Sequence, residues 1–255
     1  LNRYLKEMDE AIESTIGHAT LIEQNLRKSS SNQDVAKLER RIGGFTRLIN
    51  VHMVRVQRLT GMIVRMNAIR SGEIRSLIES EQRKIVLTDF FEDFVETLDD
   101  APILDPDTDT DSSRPRLKVI VPSHLAVLAA PRFLTTVLRD ILRNAIMYSM
   151  RGTPITIVAF AGSRESTIQI DISDEGYGIR ASEFARVFAP FERSQQPQII
   201  SEFGYGLSLH LCKYEIEAMD GLMWFESQEG GGTTFSLRLP AWRNDSPSAS
   251  SSSAT

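Results

Sequence analysis

Asp174-Glu175-Gly176-Tyr177-Gly178-Ile179 decides the reading of this chain. The stretch follows directly on Ile168–Ser173, whose strict apolar alternation predicts a strand. An Asp at a strand end, then two glycines, sets a carboxylate beside backbone that a flat ligand can approach closely. Alone, the pattern also fits an ordinary acidic turn. Three further pieces give it meaning. Gly204-Tyr205-Gly206-Leu207-Ser208-Leu209 opens an amphipathic helical run, Leu207–Met219. Glycines at a helix start offer free N–H groups and the positive dipole end to a phosphate. In Asp140-Ile141-Leu142-Arg143-Asn144-Ala145-Ile146-Met147-Tyr148-Ser149, Asp140 and Asn144 stand four apart and share one helix face. An Asn oxygen there can ligate Mg²⁺ between phosphates. In Val187-Phe188-Ala189-Pro190-Phe191-Glu192-Arg193, two Phe three apart anchor a segment that brings Arg193 within reach of a phosphate.

Working outward, strands are predicted over Lys118–Val121, Ile155–Phe160, Leu222–Glu226 and Thr233–Leu239, and helices over Ile85–Leu98 and Pro131–Tyr148. Mixed helices and hairpin-like strand pairs predict an α+β sandwich over residues 84–243. Residues 99–116 carry many Asp and three Pro and read as a solvated loop. The Ser/Ala-rich stretch 244–255 reads as a disordered tail.

The front of the chain has another character. Residues 1–72 hold no Pro. One apolar ladder runs Leu1, Leu5, Met8, Ile12, Thr15, Ala19, Ile22, Leu26. After the polar break Lys28–Gln33 a second runs Val35, Leu38, Ile42, Phe45, Ile49, His52, Val56, Leu59, Ile63, Met66. Steps of three and four put one narrow seam on each helix. A short loop between them predicts an antiparallel hairpin over residues 1–75. One hairpin cannot enclose its own seam, so the pattern predicts a homodimer closed as a four-helix bundle.

Composition narrows the classes. Lys plus Arg number 29 and Asp plus Glu 34, a net charge of −5 over 255 residues. This mild acidity argues against a general nucleic-acid binder. The single cysteine, Cys212, excludes an internal disulfide and a multi-Cys metal site. No apolar run approaches the ~20 residues of a membrane span. There is no signal-peptide pattern, and a start at Leu1 reads as a fragment or a processed chain. Cytoplasmic placement without membrane contact is the expectation. The chain has only four histidines: His18, His52, His124 and His210. By sequence, His52 falls on the seam of the second helix, His124 in a strand-to-helix loop, and His210 on the helix after the second Gly pair.

Taken together and in this order, the four pieces resemble the N, G1, F and G2 boxes of sensor histidine kinases. Their ATP-binding domain belongs to the GHKL superfamily, with the Bergerat type of α/β sandwich. The resemblance covers roughly residues 84–240. Ser194–Phe203 is similar to the family's ATP lid, and Gly221–Ser227 with Gly230–Phe235 to its closing hairpin. The helical hairpin stands where the family keeps its dimerisation and phosphoacceptor domain. The resemblance implies ATP and Mg²⁺ as cofactors, with Asn144 as the Mg²⁺ ligand. It implies that Asp174 accepts from the adenine amino group and that Gly176 and Gly178 admit the base. Tyr148 and Ile179 would line the pocket, with Asp140 and Arg193 beside the phosphates. Gly204, Gly206 and Leu207 would shape the lid hinge. It implies a response regulator, or another kinase, as partner.

Three positions depart from the family pattern. Counting back from Gly17-His18-Ala19, the phosphoacceptor position falls on Lys6, with Glu7 as the acidic neighbour able to act as a general base. The family usually has Asn at Asp140 and a basic residue at Met147. Asp140 therefore adds a negative charge that disfavours phosphate unless Mg²⁺ screens it. Three readings follow. The first is a kinase-like dimeric core that binds Mg-ATP but lacks the usual acceptor and signals by conformation or by partner pairing. The second is an active histidine kinase that phosphorylates a displaced His18. The third is a dimeric interaction module that binds no nucleotide. A gyrase-like or chaperone-like ATPase fits less well, because those relatives carry a Glu at Asp140 and lack the hairpin.

Overall fold

The three-four ladders form two long helices, α1 (Asn2–Lys28) and α2 (Val35–Arg70). The computed structural model describes residues 2–28, 35–100, 116–150, 152–162, 166–196 and 204–243. The acidic loop over 101–115, most of the expected lid (197–203) and the expected tail (244–255) lie outside these residues.

The helices run antiparallel, as their cross-helix pairs show. Thr60 bonds Met8, Ser14 bonds His52 at 3.1 Å, and His18 packs on Phe45. The inner seam of α1 differs from its sequence ladder. Met8, Thr15 and Ile22 of the ladder are half-buried, and so are Ala11, Ser14 and His18 beside it, while the ladder residues Ile12, Ala19 and Leu26 are exposed. A long helix carries apolar residues on more than one stripe, and the sequence does not say which stripe the partner helix takes.

Gly72 ends the turn after α2 with a φ of 77°, which its missing Cβ allows. A short helix α3 (Ile74–Glu81) and strand β1 (Arg83–Val86) follow. Helix α4 (Leu87–Asp100) starts after β1, so the expected helix from Ile85 is corrected at its first two residues. Ile85 and Val86 pair with Val127 and Ala126 of β3 (Ala126–Ala129) in a small antiparallel sheet. Between β2 (Leu117–Ile120) and β3 lies exposed His124, in a strand-to-strand loop rather than before a helix.

The main sheet contains β2, β4 (Ile155–Ala161), β5 (Thr167–Asp174), β7 (Gly232–Pro240) and β6 (Leu222–Gln228), in that spatial order. The β2–β4 pair is parallel and the others antiparallel. Helix α5 (Pro131–Tyr148) and helix α6 (Ser208–Ala218) pack against each other. The core joins Leu134, Leu138, Ile141 and Leu142 of α5 to Ile155, Ile157, Ile170 and Ile172 of the sheet, all at 1% exposure or less. Each such side chain contributes about 1.5–3 kcal/mol by leaving water. The result is the expected α+β layering of helices on one sheet.

A second, smaller core ties the hairpin to this domain. Leu59 and Met62 of α2 are buried against Tyr205, Leu207 and Leu211. Leu207 was expected at the lid hinge. Its side chain is buried in this seam, facing α2.

Candidate functional site

Helix α5, the end of β5 and residues 178–194 and 204–209 surround one cavity of about 150 Å³. Asp140, Asn144 and Tyr148 line it from one face of α5, one turn apart, as their spacing requires. Asp174 enters from the end of β5, and Gly178 and Ile179 from the loop that follows. Arg193, Gly204 and Gly206 line the side nearest the expected lid. Nine of the eleven residues expected at the nucleotide therefore come together. Gly176 and Leu207 do not line the cavity.

Asp174 is held rigidly. Its Oδ1 accepts the Gly176 N–H at 2.9 Å. Burial raises its carboxyl to about 6, against the lowering effect of backbone N–H bonds from Gly176 and Thr233. A poorly solvated carboxylate is a strong acceptor for a ligand amino group. The two glycines prove necessary for a reason other than admitting a base. A Cβ on Gly176 would stand 2.2 Å from the Tyr148 carbonyl oxygen, and one on Gly178 1.9 Å from that of Gln228. Gly178 also has a φ of 64°. The loop thus packs backbone to backbone on the end of α5 and on the β6–β7 turn.

Next to it, buried Glu183 accepts the Ser194 hydroxyl at 2.7 Å and the Gln195 N–H at 2.9 Å. Burial would raise its carboxyl, but these bonds prevail and hold it below the ordinary range. The Gln196 amide donates to the Gly178 carbonyl at 3.0 Å. The first residues of the expected lid are thereby fixed to the cavity rim.

The cationic side is broader than the sequence indicated. Met147 lines the cavity where a basic residue was expected, but Arg58, Arg143 and Arg186 also line it. Arg58 comes from α2 of the hairpin. Asp140 is not a bare charge either. Arg65 of α2 donates from Nη1 to Asp140 Oδ2 at 2.7 Å, and from Nε and Nη2 to both oxygens of Glu215 at 2.7 Å. Asp140 thus enters the cavity already ion-paired, sharing the one guanidinium of Arg65 with Glu215. Glu215 is fully buried, and Arg65 and Asp140 are nearly so. Burial would lower the Arg65 guanidinium, but the two carboxylates outweigh it and shift the group upward.

The residues proposed for phosphotransfer lie apart from the cavity. Lys6 is exposed on α1 and pairs with Glu10 at 3.4 Å. Glu7 is beside it on α1, and its side chain falls outside the described part. His18 is wedged within the hairpin, its Nδ1 3.4 Å from the Ser14 hydroxyl and its ring stacked on His52 at 6.0 Å. His210 Nδ1 meets the Phe188 carbonyl oxygen at 3.0 Å.

Residues 129–243 match the family described as histidine kinase-, DNA gyrase B-, and HSP90-like ATPase. Over 137 residues the chain is 35% identical to the adaptive-response sensory kinase SasA of Synechococcus elongatus, covering 53% of this chain and 35% of that protein. Residues 129–243 carry an ATPase domain of the histidine kinase-, DNA gyrase B- and HSP90-like type. The fold agrees. The histidine kinase AdeS of Acinetobacter baumannii superposes with a TM-score of 0.53 over 89% of this chain and 96% of that one, at 17% identity. Full-length ShkA, solved in complex with AMPPNP, gives 0.55 over 94% of this chain and 46% of that one, at 13% identity. The aligned stretch spans about a third of the length of the curated relatives it matches.

Around this cavity, sequence reasoning missed Arg58, Arg65, Arg143, Arg186 and Glu183. Arg143 stands inside the quoted Asp140–Ser149 stretch, one residue before Asn144, and the loss at Met147 could have directed attention to it. For Arg65 the sequence offered one hint, a charge between Ile63 and Met66 of the seam. A carboxylate partner 75 or 150 positions away has no local signature. Among the described residues, no helix is long and apolar enough to cross a membrane.

Proposed function

We propose that this chain is the cytoplasmic, dimeric core of a two-component signalling protein that binds Mg-ATP and has lost the usual phosphoacceptor. The observation that carries the reading is the cavity in which Asn144, Asp174, Arg193 and Gly204 meet. Asn144 would hold Mg²⁺, which supplies charge neutralisation between the phosphates. Asp174 orients the adenine by accepting from its amino group, and Arg58, Arg143, Arg186 and Arg193 supply positive charge for the phosphates. The donor set fits the group: a buried carboxylate, a helix-borne amide and four guanidiniums around one space. The AMPPNP carried by ShkA agrees with this use of the fold.

The hairpin (residues 1–75) and the nucleotide domain (84–243) act as two units. Exposed Ile12, Ile16, Leu48 and Met53 on the hairpin favour a second copy of the chain as its partner. Lys6 stands at the acceptor position. Its ammonium offers three donors and no lone pair, so it does not attack phosphorus. Signalling then runs through how the nucleotide domain is held on the hairpin, read by a response regulator or by another kinase.

Incubation with γ-labelled ATP tests this reading. The expected result is nucleotide binding by titration calorimetry and no acid-labile, base-stable label. Such a label, lost in His18→Gln, would instead establish an active kinase with a displaced acceptor. Absence of binding heat and of any thermal shift would leave an interaction module, because ligand at 100 Kd stabilises by about 2.7 kcal/mol.

A further inference from the structure

Arg193 stands in a short run of backbone that is tied down on both sides. Two residues before it, the Phe191 N–H donates to the Gly206 carbonyl at 2.7 Å. Directly after it, Ser194 and Gln195 bond Glu183. The Ser194 hydroxyl donates to one carboxylate oxygen at 2.7 Å, and the Gln195 N–H to the other at 2.9 Å. Gln196 closes the turn. Its N–H donates to the Ser194 hydroxyl oxygen at 3.2 Å, and its side-chain amide to the Gly178 carbonyl at 3.0 Å. From this backbone the Arg193 side chain reaches Gly204, where a Cβ would stand 3.8 Å from its Nε. Glu183 itself lies in the short 3₁₀ helix Ala181–Arg186 and is 8% exposed.

A buried carboxylate at the rim of a cavity that holds phosphates is costly by charge alone, because like charges repel. What it gains is geometry. We propose that Glu183 is a positioning residue for Arg193, through which the cavity favours a nucleoside polyphosphate over the bare nucleoside. This rests on the reading that the cavity binds Mg-ATP. A carboxylate suits the task, since its two oxygens serve two donors at once and an ionised acceptor makes the stronger bonds. An apolar residue at 183 would take the Glu183 acceptor from both the Ser194 hydroxyl and the Gln195 N–H. With Glu183 in place, the backbone next to Arg193 is ordered before the ligand arrives, so binding does not have to order it. The base end of the ligand gains nothing from this, because Asp174 is held separately by the Gly176 N–H at 2.9 Å.

The test measures binding of AMPPNP with Mg²⁺, and of adenosine, to the full chain by titration calorimetry, with thermal melts to show that each variant folds. Glu183→Ala should weaken AMPPNP by about 10-fold and leave adenosine within about 2-fold, the size of one lost pre-ordering step. The sign is diagnostic: removing a negative charge beside the phosphates would by charge alone tighten AMPPNP. Glu183→Gln should stay within about 3-fold of the parent, because its amide oxygen can still accept the Gln195 N–H and its NH₂ can donate to the Ser194 hydroxyl. Arg193→Met should weaken AMPPNP as well, and adding Glu183→Ala to it should cost nothing more, since the two act as one unit. If Glu183→Ala does not fold, Ser194→Ala carries the same selective loss at about 3-fold. Unchanged or tighter AMPPNP binding in the folded Glu183→Ala overturns the proposal. So does an equal loss for adenosine, or a loss that adds in full to that of Arg193→Met. If adenosine gives no heat with the parent, the Arg193 double variant decides alone. If the parent binds AMPPNP and these effects are absent, only the positioning role fails. If it binds neither ligand, the nucleotide reading fails with it.

Discussion

Replacing Arg65 by Met removes the cation that, among the described residues, bonds directly to both oxygens of buried Glu215. Met keeps much of the volume and none of the charge. Glu215 is 0% exposed, so its carboxylate is left without water and without its partner. Removing one member of a buried pair costs about 3–5 kcal/mol. At about 2–4 °C per kcal/mol for a chain of this size, the melting temperature should fall by about 6–20 °C. The loss carries a pH signature. Burial already raises the Glu215 carboxyl above its ordinary value, and the bond from Arg65 holds it down. Without Arg65 it rises further. A raised folded value stabilises below the unfolded pKa of about 4.3, and that contribution is lost as pH rises through the folded value. The deficit of Arg65→Met should therefore be larger at pH 8 than at pH 5. Urea unfolding of parent and variant at both pH values, at one protein concentration, measures it. Adding Glu215→Leu should recover most of the loss, because an apolar pair replaces a broken ionic one. A deficit below about 1 kcal/mol at pH 8, or one that shrinks as pH rises, would refute the reasoning.

Other perturbations reach other parts of the molecule. Asp174, raised to about 6 by burial, favours the folded state at low pH and loses that contribution as pH rises through 6. Asp174→Asn should therefore be more stable than the parent at pH 8, by roughly 1–3 kcal/mol in thermal melts, and gain nothing at pH 4. Gly178→Ala places a Cβ 1.9 Å from the Gln228 carbonyl oxygen at a φ of 64°. It should lower stability by about 1–3 kcal/mol and weaken AMPPNP binding in calorimetry. Leu59→Ala empties a site that is 1% exposed. It should cost about 2–5 kcal/mol, seen as a lower urea midpoint. Lys6→His returns a nucleophilic imidazole to the acceptor position. Acid-labile label should appear with γ-labelled ATP in this variant alone, and continued silence would count against Lys6 as the acceptor position.

Much of the fold was legible because its signals are local. The period-two run before Asp174 became β5, extended by one residue at each end. The ladder of α2 places Leu59 in a buried position on a helix of the expected length, whereas buried Val51 and Met62 lie beside the ladder rather than on it. What escaped depended on distant partners. β1 and β3 are four residues each, too short to show a period, and exist because Ile85 finds Val127 across the chain. The nucleotide boxes told where Asp140, Asn144 and Asp174 belong, since spacing on one helix and a turn after one strand suffice. They did not tell that Gly178 is fixed by the β6–β7 turn, that Leu207 faces α2, or that Asp140 is already paired. Each of those facts comes from packing between segments, which no window of sequence contains.

The Arg65–Asp140 bond also binds two positions into one unit of inheritance. An Asp at 140 without Arg65 would put an unbalanced charge beside the phosphates. An Arg at 65 facing Asn would keep Glu215 but lose half of its charge balance. Neither residue drifts alone without cost. Descendants of this chain are expected to keep both or to change both.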